Sequence, residues 1–160
     1  MAEEIIEQGY RELADTILEH NPGVDLGRVR AAFELADRAH SGQKRKAGTP
    51  YVTHCVAAAQ ICAEMGLDED SIVAALLHDC IEDTAITHED IARQFGAEVA
   101  DIVEGVTKLT RVQFTSREDE QMENLRKMLM AMAKDIRVIL IKIADRLHNM
   151  RTMEYMVAQK

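Results

Sequence analysis

The chain has 160 residues, 47% of them apolar, enough to close one ordinary hydrophobic core and a tight fit for two. Its 19 basic and 28 acidic residues leave a net charge of −9, a sign that repels phosphate backbones and argues against extended nucleic acid as a partner. No apolar run approaches the roughly 18 residues that span a bilayer, and the Met-Ala-Glu-Glu start lacks a basic-then-apolar leader, so a cytoplasmic setting without a membrane partner is expected.

Two prolines, eight glycines and long stretches of Ala, Leu, Ile, Met, Glu and Lys favour helices, and the expected fold class is an all-α, single-domain helical bundle. Residues 3–20 read as the first helix, stopped by Asn21-Pro22-Gly23. Asp25 opens a second helix that runs to about His40. The segment Ser41 to Pro50 carries two glycines, a proline and the triplet Lys44-Arg45-Lys46, and reads as a loop able to hold an anionic ligand despite the acidic net charge. Thr53 is a candidate cap for a third helix, to about Met65, with Gly66 as its stop.

Asp68 or Asp70 is expected to cap the next helix, which bears His78. There Ile72, Val73, Leu76, Leu77 and Cys80 share one face, and His78, Asp79, Glu82 and Asp83 form the opposite stripe. A solvated helix face is the bland account of that stripe. Thr87 precedes a short helix through Phe95, Gly96 breaks it, and a further helix reaches about Leu109. Thr110 to Ser116 is expected to be a mobile polar loop. Residues 117–133 read as a helix entering the core from solvent, with Met128, Met130 and Met132 as packing residues. The last helix, Asp135 to about Met156, is apolar nearly all round and is therefore expected to be central. Cys55, Cys62 and Cys80 are odd in number and lack C-x-x-C spacing, so they read as reduced packing residues.

On the last helix Asp145, His148, Asn149 and Thr152 lie at offsets of three, four and seven and make one polar stripe. A buried carboxylate costs several kcal/mol unless it is paired, so Asp145 implies either a salt-bridge partner or a cation. His54, just after the basic loop, by itself reads more readily as a helix-end cap or surface residue than as a ligand. Taken together, His54, His78, Asp79 and Asp145 form the spaced pattern H…HD…D, a mixed nitrogen and oxygen set that suits a divalent first-row metal.

This pattern resembles that of the HD superfamily of metal-dependent phosphohydrolases. The longer motifs His40-Ser41-Gly42-Gln43-Lys44-Arg45-Lys46-Ala47-Gly48, His78-Asp79-Cys80-Ile81-Glu82-Asp83, Gly105-Val106-Thr107-Lys108-Leu109 and Asp145-Arg146-Leu147-His148-Asn149-Met150-Arg151-Thr152 are similar to the hydrolase domain of RelA/SpoT homologues, over roughly residues 25–155. The resemblance implies an HD-type bundle over residues 1–160 that removes the 3′-pyrophosphate of (p)ppGpp, giving GDP or GTP plus pyrophosphate, with Mn²⁺ as the cofactor. It implies His54, His78, Asp79 and Asp145 as metal ligands. It further implies Glu82 and Asp83 as the catalytic carboxylate pair, and Arg45, Lys46, Asn149 and Thr152 as nucleotide contacts.

Two departures stand out: Ala47 where the family commonly has serine, and Cys55 where proline is usual; neither removes a ligand. The family's hydrolase domain continues with further helices, and synthetase and regulatory domains follow in its long members, so the chain reads as an N-terminal fragment of a longer protein. Two alternatives stay open: a catalytically silent nucleotide-binding regulatory module, and an HD phosphohydrolase acting on another nucleotide phosphate.

Overall fold

The fold is a computed structural model that describes residues 2–45, 48–110, 121–123, 125–126 and 135–158. The order of helices is α1 Ala2–His20, α2 Leu26–Ala39, α3 Val52–Glu64, α4 Glu69–Leu77, α5 Cys80–Asp83, α6 His88–Phe95, α7 Ala97–Thr110 and α8 Ile136–Ala158. Among the described residues the β-structure is limited to one isolated antiparallel bridge, Lys44 to Pro50, so the all-α expectation holds. None of these helices is long and apolar enough to cross a membrane.

Local chemistry starts three of the helices where the sequence places them. Asp25 accepts from the backbone of Gly27 and Arg28, Asp68 accepts from Ser71, and Thr87 and Asp90 form a reciprocal capping box. Each such cap contributes about 1 kcal/mol. Gly66 and Gly96, at φ of 74° and 102°, take positive-φ conformations that glycine enters at little cost and that end α3 and α6. Thr53 is not the cap of α3. It lies inside the helix and its hydroxyl donates back to the Pro50 carbonyl at 2.7 Å, while Tyr51, already in helical conformation, occupies the cap position.

The core is organised by α3 and α4. α3 packs against α1, α2, α4 and α8, and α4 against α2, α3, α7 and α8. Small residues on α3 (Ala58, Ala59, Cys62, Ala63) and on α4 (Ala74, Ala75) are fully buried and let the helices approach closely, while Ile72, Leu76 and Leu77 supply about 1.5–3 kcal/mol each of burial. Gly105 of α7 serves the same end against α8, because a Cβ there would meet Val138 Cγ2 at 2.8 Å. Arg28 ties α2 to α4 and α6 through Glu69, Asp70 and the Phe95 carbonyl.

Two further expectations are overturned. The segment from Ile72 to Asp83 is not one two-faced helix: α4 stops at Leu77, His78 and Asp79 form a turn, and α5 is a separate four-residue helix. Since every residue from Ser71 to Leu77 is buried, α4 has no solvent face for a polar stripe to occupy, and the polar groups gather where the chain turns out of the core. The last helix is also not apolar-buried all round. Val138, Ile141 and Ala144 are buried, but Ile136, Ile143 and Met150 are more than half exposed. One stripe of α8 reaches α3, α4 and α7, and α4 takes the central place. The expectations for residues 111–116, for Met128, Met130 and Met132, and for Lys46 and Ala47 lie outside the described residues; residues 121–123 and 125–126 are helical and exposed.

Candidate metal centre

The loop between α2 and α3 is folded on itself by Arg45 N to Thr49 O (2.8 Å), Gly48 N to Arg45 O (2.8 Å) and Tyr51 N to Gln43 O (3.0 Å). Gly42 and Gly48 sit at φ of 83° and 88°, a region that glycine enters at little cost. This loop delivers the chain into the first turn of α3, where His54 points inward with 1% of its surface exposed. His78 and Asp79 follow the end of α4, and Asp145 comes from the middle of α8.

The four side chains converge. His54 Nε2 lies 2.5 Å and His78 Nε2 3.2 Å from Asp145 Oδ1. Asp79 Oδ2 is 3.0 Å from His78 Nε2 and 4.0 Å from His54 Nε2. One donor atom from each residue falls within a 4.8 Å span, and the group is almost wholly buried. The bland accounts of a solvated stripe and a surface histidine are therefore excluded for His54, His78 and Asp79.

The electrostatics describe a site that demands positive charge. Burial by itself favours a neutral imidazole at His78, but Asp79 and Asp145 override it and hold His78 up to about 10. Burial would raise Asp79, yet His78 and the Tyr51 hydroxyl pull it down to about 2. Asp145 is likewise held far below the usual carboxylate range, its burial outweighed by His54, His78 and the Lys142 ammonium. His54 is lowered by burial and by its neighbour His78. Two buried carboxylates answered by a protonated imidazole form a donor set that fits a divalent cation, which would replace that proton.

Around this cluster lies a second ring of contacts that sequence reasoning missed. His78 Nδ1 donates to the Ala75 carbonyl at 2.6 Å, which aims Nε2 at the cluster. The Tyr51 hydroxyl donates to Asp79 Oδ2 at 2.7 Å, and Lys142 Nζ donates to Asp145 Oδ2 at 3.0 Å. His54 Nδ1 faces His148 Nδ1 at 2.7 Å. Lys142 was detectable, lying three residues before Asp145 on one helix face. No pattern in the sequence marks Tyr51.

The remaining candidate residues fall beside the cluster. Glu82 and Asp83 are exposed on α5, immediately after Asp79. Asp83 N donates to Asp79 O at 2.9 Å, and burial together with the Asp79 charge raises the Asp83 carboxyl above its ordinary value. Arg45 is half-buried and its Nη2 donates to Asn149 Oδ1 at 2.9 Å and to Thr152 Oγ1 at 3.2 Å. Thr152 also donates to helix carbonyls of α8, so the intra-helix account is true of its proton while its oxygen still serves Arg45. Lys46 lies outside the described residues. A second group, His88 with Asp101 and Glu104, is largely exposed and reads as a surface ion pair.

Residues 32–160 match the family model described as HD domain. The chain is 51% identical over 144 residues, 90% of its length, to the bifunctional (p)ppGpp synthase/hydrolase SpoT of Escherichia coli K12. It is 56% identical over 119 residues, 74% of its length, to a guanosine-3′,5′-bis(diphosphate) 3′-pyrophosphohydrolase of Haemophilus influenzae. It spans about a fifth of the length of these curated relatives, 20% and 18% respectively. Among solved structures, a metazoan orthologue of SpoT described as hydrolysing ppGpp and acting in starvation responses superposes with a TM-score of 0.61 at 30% identity, covering 80% of this chain and 71% of that one.

Proposed function

The chain belongs to the HD-domain family, among the RelA/SpoT homologues, and from that membership we propose that it hydrolyses the 3′-pyrophosphate of (p)ppGpp. The products are GDP or GTP and pyrophosphate, and the setting is the cytoplasm. The observation that carries the reading is the convergence of His54, His78, Asp79 and Asp145 on one 4.8 Å locus, with Glu82 and Asp83 exposed on the short helix that follows Asp79 in the chain.

His54, His78, Asp79 and Asp145 would hold a divalent cation, Mn²⁺ in this reading. When bound, it supplies Lewis-acid polarisation of the phosphoryl oxygens and activation of water, the two things a shielded pyrophosphate ester lacks at neutral pH. Glu82 orients the attacking water and takes its proton. Asp83, whose raised carboxyl pKa favours the protonated form more than an ordinary aspartate does, assists by passing a proton to the departing ribose oxygen. Arg45, Asn149 and Thr152 form one hydrogen-bonded group at the other side of α8's polar stripe, and there the guanidinium can stack on guanine while the amide and hydroxyl meet base or ribose. Lys46, next to Arg45 in the chain, pairs with phosphate.

The test is pyrophosphate release from (p)ppGpp with added Mn²⁺, with a chelated sample and Glu82→Gln alongside. Metal-dependent turnover that is lost in Glu82→Gln supports the reading. Nucleotide binding without turnover would replace it with the regulatory-module alternative, and turnover of unrelated nucleotide phosphates at equal rate would replace the substrate.

A further inference from the structure

We infer that His148 is the positioning residue for His54: it accepts the His54 Nδ1 proton and thereby leaves the Nε2 lone pair for the cation. This rests on the proposed metal site and extends it to a residue outside the ligand set.

The geometry is specific. His54 Nδ1 and His148 Nδ1 are 2.7 Å apart, and the two rings lie 4.9 Å centroid to centroid, tilted by 32°. On the opposite edge of the same ring, His54 Nε2 points at Asp145 Oδ1 (2.5 Å) and toward Asp79 Oδ2 (4.0 Å). His54 is 1% exposed, so bulk water is not available as a substitute partner. A neutral imidazole carries one ring proton, and Nε2 can ligate only if that proton sits on Nδ1. At 2.7 Å one nitrogen of the pair must donate and the other accept, so ligation through His54 Nε2 requires His148 Nδ1 to be the acceptor, with the His148 proton on its own Nε2.

The two histidines of the cluster are thus oriented by different means. His78 donates to the Ala75 carbonyl (2.6 Å), an acceptor that cannot reverse. His54 faces a partner that can also donate, so with the cation absent His54 can keep its proton on Nε2 against Asp145, and with the cation bound that proton would sit on Nδ1 and the His54–His148 hydrogen bond would run the other way. His148 lies three residues after Asp145 on α8, so one helix face supplies both a carboxylate of the cluster and the partner of a histidine on α3.

The test measures Mn²⁺ binding by calorimetry in the wild-type chain, His148→Leu, His148→Asn and His54→Ala, with unfolding of each metal-free protein as a fold control. His148→Leu keeps bulk and removes the acceptor, whereas His148→Asn puts an amide oxygen close to the position of Nδ1. The expected result is a loss of about 10–100-fold in affinity for His148→Leu, the usual effect of removing such a partner, with most of it restored in His148→Asn. In the Zn²⁺-loaded wild type, imidazole ¹⁵N–¹H spectra should place the His54 proton on Nδ1. Wild-type affinity in His148→Leu while His54→Ala loses binding, or a His54 proton on Nε2 in the loaded protein, overturns the inference and spares the metal site. Binding that is indifferent to His54→Ala overturns both. If His148→Leu does not fold, the wild-type spectrum and His148→Asn decide the question.

Discussion

His78 Nδ1 lies 2.6 Å from the carbonyl oxygen of Ala75, three residues earlier at the end of α4. A helix terminus leaves carbonyls without intrahelical partners, and here the side chain that follows the helix satisfies one of them. The same bond points His78 Nε2 at both Asp79 and Asp145. Helix termination and site assembly are one event at this residue.

The charge state of His78 makes the metal-free fold sensitive to pH. Its pKa is raised from 6.5 to about 10, so its contribution to stability is complete below pH 6.5 and drains away as pH rises to about 10. Burial, with His54 and Arg45 adding to it, holds His148 down to about 4, a shift of opposite sign that costs stability as pH falls from 6.5. The chelated protein should therefore be most resistant to thermal unfolding near pH 6.5, and His78→Gln should flatten the alkaline limb. Added Mn²⁺ should reverse that limb, because metal competes with the proton and binds more tightly as pH rises. An alkaline limb unchanged by His78→Gln would contradict this account.

Tyr51→Phe removes the hydroxyl that donates to Asp79 Oδ2 at 2.7 Å while keeping the ring between His40 and His54. We expect a loss of about 1.5–3 kcal/mol in the stability of the metal-free chain, as for a hydrogen bond to a charged group. Mn²⁺ affinity should weaken by about tenfold or more, as for loss of an outer-shell partner. Chemical denaturation and calorimetry read the two effects separately, and an unchanged affinity would remove Tyr51 from the site's support.

Arg45→Lys tests the nucleotide group. A guanidinium can keep Asn149 and Thr152 engaged and still present a planar face, whereas an ammonium is a point charge with no face to stack. The expectation is a KM for (p)ppGpp raised about tenfold, corresponding to roughly 1.4 kcal/mol of uniform binding, with kcat and Mn²⁺ affinity close to wild type. A fall in kcat at constant KM would move Arg45 from binding to chemistry.

Gly105→Ala opposes two effects of known sign. Alanine gains about 1 kcal/mol of helix propensity over glycine, but its Cβ would stand 2.8 Å from Val138 Cγ2, and overpacking of this kind costs about 1–3 kcal/mol. We expect net destabilisation, together with weaker Mn²⁺ binding because α8 carries Asp145. A more stable variant would mean that Val138 simply changes rotamer.

Much of this molecule was legible from local chemistry. The caps at Asp25, Asp68 and Thr87 act within a turn of their own helix, and so they were readable as sequence. The H…HD…D residues were recognisable because the motifs around them resemble those of a metal-dependent family, while their burial is a property of the fold. Thr53 looks like a cap in sequence although its hydroxyl, one residue into the helix, bonds backward to Pro50. The break at His78 and Asp79 leaves no trace in the pattern, because periodicity records which residues are apolar, and residues 72–80 keep an apolar face whether or not the helix continues.

The sequence by itself determined the helical class and the acidic balance, which follow from composition and from spacings of a few residues, and it named the residues that gather at the centre through the family resemblance of the motifs that carry them. Only the tertiary structure decided that α4 rather than α8 is central, and that Tyr51, Lys142 and His148 complete the site. Those relationships depend on how α3, α4 and α8 lie against one another. Contacts between His54 and His148, 94 residues apart, have no signature in a local pattern, because a hydrogen bond is set by a distance of under 3 Å in space and carries no period along the chain.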